Sequence, residues 1–172
     1  MRKILVLALL SFYFSSYGQE DEKTLPSYRF KFKNAVEAEL FGHGLYYSLN
    51  YERFILNGPK LKTSGQIGFS YYPPNTGLRD IWIPVLINEL YSFNKHHIEL
   101  GFGYIFINEA LRTTNNEVES RMWDGFITAR IGYRYQKPEG HFLFRIGFTP
   151  TIEYTETYDF HPLGGLTFGY SF

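Results

Sequence analysis

Apolar and polar residues alternate along most of this chain with a period of two. That is the repeat of an extended strand, whose successive side chains face opposite ways. About eight such segments are predicted. The first runs from about 33 to 41, with Val36, Ala38 and Leu40 on one face and Glu37 and Glu39 on the other. The second, LYYSLNYE, sets Leu45, Tyr47, Leu49 and Tyr51 against Tyr46, Ser48, Asn50 and Glu52. In the third, Gly65, Ile67, Phe69 and Tyr71 oppose Gln66, Gly68 and Ser70. The fourth, DIWIPVLINELYSF, is apolar on nearly every position. Ile83, Val85 and Ile87 are assigned to its outer face, and Pro84 is expected to cost a ladder hydrogen bond in mid-strand. The fifth sets Ile98, Leu100, Phe102, Tyr104 and Phe106 against His97, Glu99, Gly101 and Gly103. The sixth opposes Ile127, Ala129, Ile131, Tyr133 and Tyr135 to Thr128, Arg130, Gly132 and Arg134. The seventh opposes Phe142, Phe144, Ile146 and Phe148 to Leu143, Arg145, Gly147 and Thr149. The eighth, GLTFGYSF, ends the chain with Leu166, Phe168, Tyr170 and Phe172 on its apolar face.

Alternation of this kind also suits a soluble sandwich or a soluble ligand-carrying barrel, with the apolar face packed inward. The glycines argue for the opposite orientation. Gly68, Gly101, Gly103, Gly132, Gly147, Gly165 and Gly169 all fall on the polar face. A solvent-facing strand gains nothing from glycine, whereas the crowded interior of an eight-stranded barrel needs small residues. The connections agree. NGPK, FNKH and KPEG are tight turns after the second, fourth and sixth strands. PPNTGLRD, NEALRTTNNEVESRM and PTIEYTETYDFH are long pieces after the third, fifth and seventh, and only the first connection, GHG, is short on that side. The predicted fold class is all-β: an eight-stranded, antiparallel, up-and-down transmembrane β-barrel, with its polar face inside and its rings toward lipid.

Composition sharpens this picture. One fifth of the chain is aromatic, with 15 Tyr, 17 Phe and 16 Gly, a mixture suited to strands. Zero cysteines exclude a disulfide framework, a thiolate metal site and a thiol nucleophile. A formal net charge of zero gives no electrostatic reason to expect nucleic acid as a partner. The start, MRKILVLALLSFYFSSYGQEDEK, has a basic end, an apolar run from Ile4 to Phe14 and small residues at Ser16-Tyr17-Gly18. This is the layout of a secretory signal peptide over 1–18, and the run is shorter than a spanning helix requires. Residues 19–33 then form a periplasmic segment leading into the first strand, and 34–172 the barrel. No other stretch reads as a membrane helix.

A closed barrel has no free edge, so the last strand must pair with the first. An alternating final strand with Phe168, Tyr170 and a terminal Phe172 resembles the assembly signal of bacterial outer-membrane β-barrels. Size and layout resemble the small OmpA/OmpX-type barrels. The stretches ELFGHGLYYSLNYERF, ELGFGYIF, GYRYQKPEGHFLFRIGFTP and LTFGYSF are similar to uncharacterised outer-membrane barrels of Bacteroidetes. The resemblance implies a cell outer-membrane location. It also implies outer-membrane lipid, lipopolysaccharide and the barrel-assembly machinery as partners, and it brings no defined activity.

Candidate chemistry lies in three places. Glu37, Glu39, Glu52, Glu99, Arg130, Arg134 and Arg145 share the inward face and are expected to pair in the lumen, since unpaired charges there would be very costly. The structural role is a polar filling that fixes register; the functional alternative is a narrow channel or a gated plug. Some small outer-membrane barrels are lipid A acylhydrolases or acyltransferases that use His with Ser and an acidic partner. Of His43, His96, His97, His141 and His161, His43 and His161 are expected near the outer rim, with Ser48 turned inward, and no outward His-Ser pair is present. The chain is therefore read as a non-enzyme with no cofactor; adjacent His96 and His97 point to opposite faces and cannot chelate together. The outer connections are the remaining candidate. Tyr154, Tyr158 and Phe160 could contact a surface protein or ligand, and a protruding strand pair could accept a partner strand.

Overall fold

The computed structural model describes residues 28–73, 80–112, 118–154 and 158–172, and only the backbone of Arg112, Tyr154 and Tyr158. The alternating stretches form ten strands: β1 (Asn34–Phe41), β2 (Tyr47–Asn57), β3 (Leu61–Tyr71), β4 (Ile81–Phe93), β5 (His96–Arg112), β6 (Val118–Gln136), β7 (Phe142–Phe148), β8 (Thr151–Tyr154), β9 (Tyr158–His161) and β10 (Gly164–Ser171). Every pairing is antiparallel, and β1 through β7 with β10 close into a ring of eight. The closing seam pairs Val36 with Tyr170, Ala38 with Phe168 and Leu40 with Leu166. Asn34 and Phe172 exchange two backbone hydrogen bonds, at 3.2 and 2.8 Å, so the seam reaches the last residue.

The predicted seventh and eighth strands are β7 and β10, and the long connection expected between them carries the strand pair β8 and β9. Pro150 and Pro162 stand at the two ends of this pair, where the missing N–H cannot join a ladder. Below the prolines β7 pairs with β10; above them β8 pairs with β6 and β9, and the β8–β9 hairpin stands out from the ring. Among the described residues β9 has β8 as its one sheet neighbour. The expected long fifth connection is shorter than predicted, because β5 and β6 run on to Arg112 and from Val118. These two strands outgrow the ring by cross-pairing such as Ala110 with Arg121.

In the fourth strand the structure takes the outer face through Ile83, Val85 and Ile87, with Trp82, Pro84 and Leu86 inside. The β3–β4 ladder lapses opposite Pro84, between the pairs Ile67–Val85 and Ser70–Trp82, while the β4–β5 ladder continues unbroken. The side-chain amide of Asn50 and the ring of Pro84 together occupy the space that Gly68 leaves. A Cβ on Gly68 would lie 2.8 Å from Pro84 Cγ.

Each strand presents the two faces its alternation requires. Phe102 is 67% exposed on the outside, and Glu99 on the inside is wholly buried. The first connection is a 3-10 turn over Gly42–Gly44, flanked by left-handed Phe41 (φ 58°) and Leu45 (φ 68°). This strained backbone folds the turn over the mouth of the barrel rather than away from it.

Candidate functional site: the barrel lumen

Strands place one side chain in two inside the ring, and the charged ones meet at mid-height. Arg145, at the centre of β7, donates from Nε to Glu99 (2.9 Å) and from Nη1 to Glu37 (3.1 Å), with Nη2 3.4 Å from Glu52. Arg134 donates from Nη1 to Glu52 (2.7 Å) and grips Gln136 through Nε and Nη2 (2.9 and 2.6 Å). Arg130 donates from Nη2 to Glu39 (2.6 Å) and from Nη1 to Glu99 (3.3 Å) and Gln66 (2.9 Å). Ser64 and Ser48 donate to Glu52 (2.5 Å) and Glu39 (3.2 Å). All seven charged residues singled out from the sequence lie in this one network, which joins β1, β2, β5, β6 and β7. Fork-shaped guanidiniums suit such a lattice, since each can bond several carboxylate oxygens at fixed angles.

His43 differs from its expected place. It is not on an outer rim open to lipid; the strained turn tucks it fully inside the lumen. His43 Nδ1 lies 2.9 Å from Arg130 Nη2 and 3.4 Å from each carboxylate oxygen of Glu39. Its Nε2 is buried with no hydrogen-bond partner among the described residues. Ser48 does face inward, but its hydroxyl is spent on Glu39. His97 is buried in the lumen near the short turns, with Nδ1 2.8 Å from Ser92 Oγ and Nε2 3.0 Å from the Gln136 carbonyl, whereas His96 Nδ1 meets the Tyr133 hydroxyl at 2.6 Å and exposed His161 lies 4.0 Å from Glu153.

Sequence reasoning missed a fourth lumenal cation. Lys62 is fully buried and donates to Ser92 Oγ at 2.7 Å. It shares the parity of Gln66 and could have been found by extending the third strand toward its turn. Also missed were the apolar caps at the two ends. Toward the long connections, Tyr72, Trp82, Ile105, Ile107 and Phe126 fill the lumen, with Leu45 packed against them. The Tyr72 hydroxyl donates to the Gly44 carbonyl and accepts from the Tyr46 N–H (3.0 Å), fixing the turn in place. Toward the short turns, Phe54 and Leu90 meet Phe30, which lies ahead of β1.

On the outer face, Tyr91, Ile98 and Tyr133 form one cross-strand row; nearer the long connections Ile81 and Trp123 flank buried Asn108 in another. Ile87, Phe102 and Ala129 lie between them, as do Val85, Tyr104 and Ile127. Glu89 is a charged residue on this face, next to the Tyr91 row, with Thr63 donating to it at 2.7 Å. Phe168, Tyr170 and Phe172 are exposed on the same outer face at the seam. Phe160 is exposed in the β8–β9 hairpin. The side chains of Tyr154 and Tyr158 lie outside the described residues.

The fold is similar to the crystal structure of the N-terminal β-barrel domain of Pseudomonas aeruginosa OprF. The TM-score is 0.54, at 11% sequence identity, over 81% of this chain and 96% of that one. No family model matches the sequence, and no curated protein matches it. At this identity the likeness extends to the fold, an eight-stranded antiparallel barrel.

Proposed function

We propose that this chain is an exported outer-membrane β-barrel with a filled polar lumen, and that it serves envelope structure or surface binding through its outer hairpins. The observation that carries this is the inverted arrangement of the barrel, with arginine and glutamate enclosed and rings and aliphatic chains on the outside. Water would not favour that exposure, whereas hydrocarbon would. The row of Tyr91, Ile98 and Tyr133 and the row that holds Ile81 and Trp123 are about ten residues apart on β4, β5 and β6. On strands tilted by about 40° this spans about 25 Å, the height of the apolar band of such barrels. In this reading a signal peptide over 1–18 delivers the chain, and the Phe168, Tyr170, Phe172 strand addresses it to the barrel-assembly machinery. Outer-membrane lipid and lipopolysaccharide surround it, and kinship with the Bacteroidetes barrels rests on the sequence stretches alone.

Neither alternative gains support. A lipid A-modifying site needs a histidine within reach of the outer leaflet, and His43 is enclosed behind Tyr72 and Arg130. A narrow channel needs a water path, and here an ionic lattice lies between two apolar caps. Any surface partner would meet the β8–β9 hairpin around Phe160.

The two tryptophans provide the test, since Trp123 is 62% exposed on the outer face and Trp82 is 7% exposed in the lumen. Refolded into vesicles of brominated phospholipid, the Trp82→Phe protein should lose most of its fluorescence and the Trp123→Phe protein should keep it. Equal quenching of the two, or a folded protein that stays monomeric in buffer without detergent, would overturn the proposal.

A further inference from the structure

The chain ahead of β1 crosses the short-turn mouth of the barrel instead of leaving it. At the end of β2, Asn57 holds the backbone of Phe30 twice: the Phe30 N–H donates to Oδ1 (3.0 Å), and its carbonyl accepts from Nδ2 (2.7 Å). One residue later the Lys31 N–H donates to the Pro138 carbonyl (2.8 Å) in the β6–β7 turn. In a ring ordered β1 through β7 and then β10, the β2–β3 and β6–β7 turns are diametrically opposed. The segment is therefore a strap across the full width of the mouth.

Its side chains divide by position. Phe30 is 3% exposed, with its ring inside the lumen, 4.9 Å from the ring of Phe54 and 5.1 Å from that of His97. Lys62 Nζ stands 4.9 Å from the Phe30 ring centre and the Arg134 guanidinium 5.9 Å, both within cation–π range. Phe32 stacks on His141 (4.2 Å), which stacks on Tyr170 (4.9 Å) at the seam. Nothing in the barrel sheet requires this seating, because residues 30–32 belong to no strand.

We propose that residues 30–32 are a strap and Phe30 a stopper. The ring seals the polar lumen from the compartment on the short-turn side, and release of the strap opens that mouth with every strand still paired. Behind the stopper lie Lys62, His97 and Arg134, so the opened mouth is a basic vestibule closed above by the carboxylate–guanidinium lattice. This inference rests on the lumen geometry and not on the membrane reading, and it is tested in detergent.

The chain has no cysteine, so each introduced thiol is unique. Ser92, which holds Lys62 and His97 just behind Phe30, is replaced in Ser92→Cys. Ser70, buried beyond the lattice beside Trp82, is replaced in Ser70→Cys as the control. Labelling by a charged, water-soluble methanethiosulfonate is followed by mass spectrometry on the folded protein. With the strap intact, Ser92→Cys should label slowly. Phe30→Ala should speed it by about tenfold or more, the factor set by losing the burial of one ring. Asn57→Ala should also speed it, since it frees the strap with the ring present, and it carries the test if Phe30→Ala does not fold. Ser70→Cys should stay slow throughout. Fast labelling of Ser92→Cys behind an intact strap, no acceleration in either variant, or equal acceleration at Ser70→Cys would each overturn the proposal.

Discussion

Replacing Arg145 by methionine tests whether the lumen is held by its charges. Arg145 is fully enclosed and lies within ion-pair distance of Glu37, Glu52 and Glu99. Glu99 and Glu52 keep other guanidiniums when it is removed, at 3.3 Å from Arg130 and 2.7 Å from Arg134. Glu37 has Arg145 as its ion-pair partner and loses it. Methionine fills much of the vacated volume, so the cost is chiefly that of a buried carboxylate left without its cation. Such losses run to about 3–5 kcal/mol, a large share of the roughly 5–15 kcal/mol that holds a domain together. The assay is urea unfolding of protein refolded in lipid vesicles, followed by tryptophan fluorescence and extrapolated to water. Adding Glu37→Gln to Arg145→Met should recover about 1 kcal/mol or more, because the double variant has no orphaned charge. A loss below about 1 kcal/mol, or no recovery on adding Glu37→Gln, would refute the reasoning. Glu37 would then be solvated by water in an open lumen, where an ion pair is worth little.

Two further outcomes follow from the outer face and the seam. Phe102→Arg places a charge at the middle of the apolar band and should cost about 2–4 kcal/mol in vesicles of ordinary thickness; the same urea titration reads it, and a neutral result would remove lipid from that face. Deleting Phe172 removes both backbone bonds to Asn34, whereas Phe172→Ala keeps them. The deletion should lower stability by about 1–2 kcal/mol more than the substitution does and reduce the folded, heat-resistant fraction on electrophoresis.

The alternation alone was sufficient to find the strands, their faces and the ring, because a side chain in a strand has only two directions to point. Parity placed Glu37, Glu39, Glu52, Glu99, Arg130, Arg134 and Arg145 on one surface, and closure of the sheet brought that surface together. Pro84 was legible as an exception. That its ring packs over Gly68 beside Asn50 was not, because register is a property of neighbouring strands. The protruding strand pair after Pro150 was legible because the alternation continues past the ring strand; its pairing with β6 was not, because that depends on where the two strands lie relative to each other.

What the sequence by itself determined is everything governed by period two: the number of strands in the ring, inward and outward sets, short turns on one side, and a terminal strand able to close the barrel. What only the tertiary structure decided concerns residues that obey no repeat. His43 is inside because left-handed Phe41 and Leu45 fold a short turn over the mouth, and Phe30 is inside because Asn57 holds its backbone from one wall and Pro138 holds that of Lys31 from the other. A strand fixes where its own side chains point through local geometry. A turn or a leading segment has no such constraint, and it is positioned by partners that lie far away along the chain.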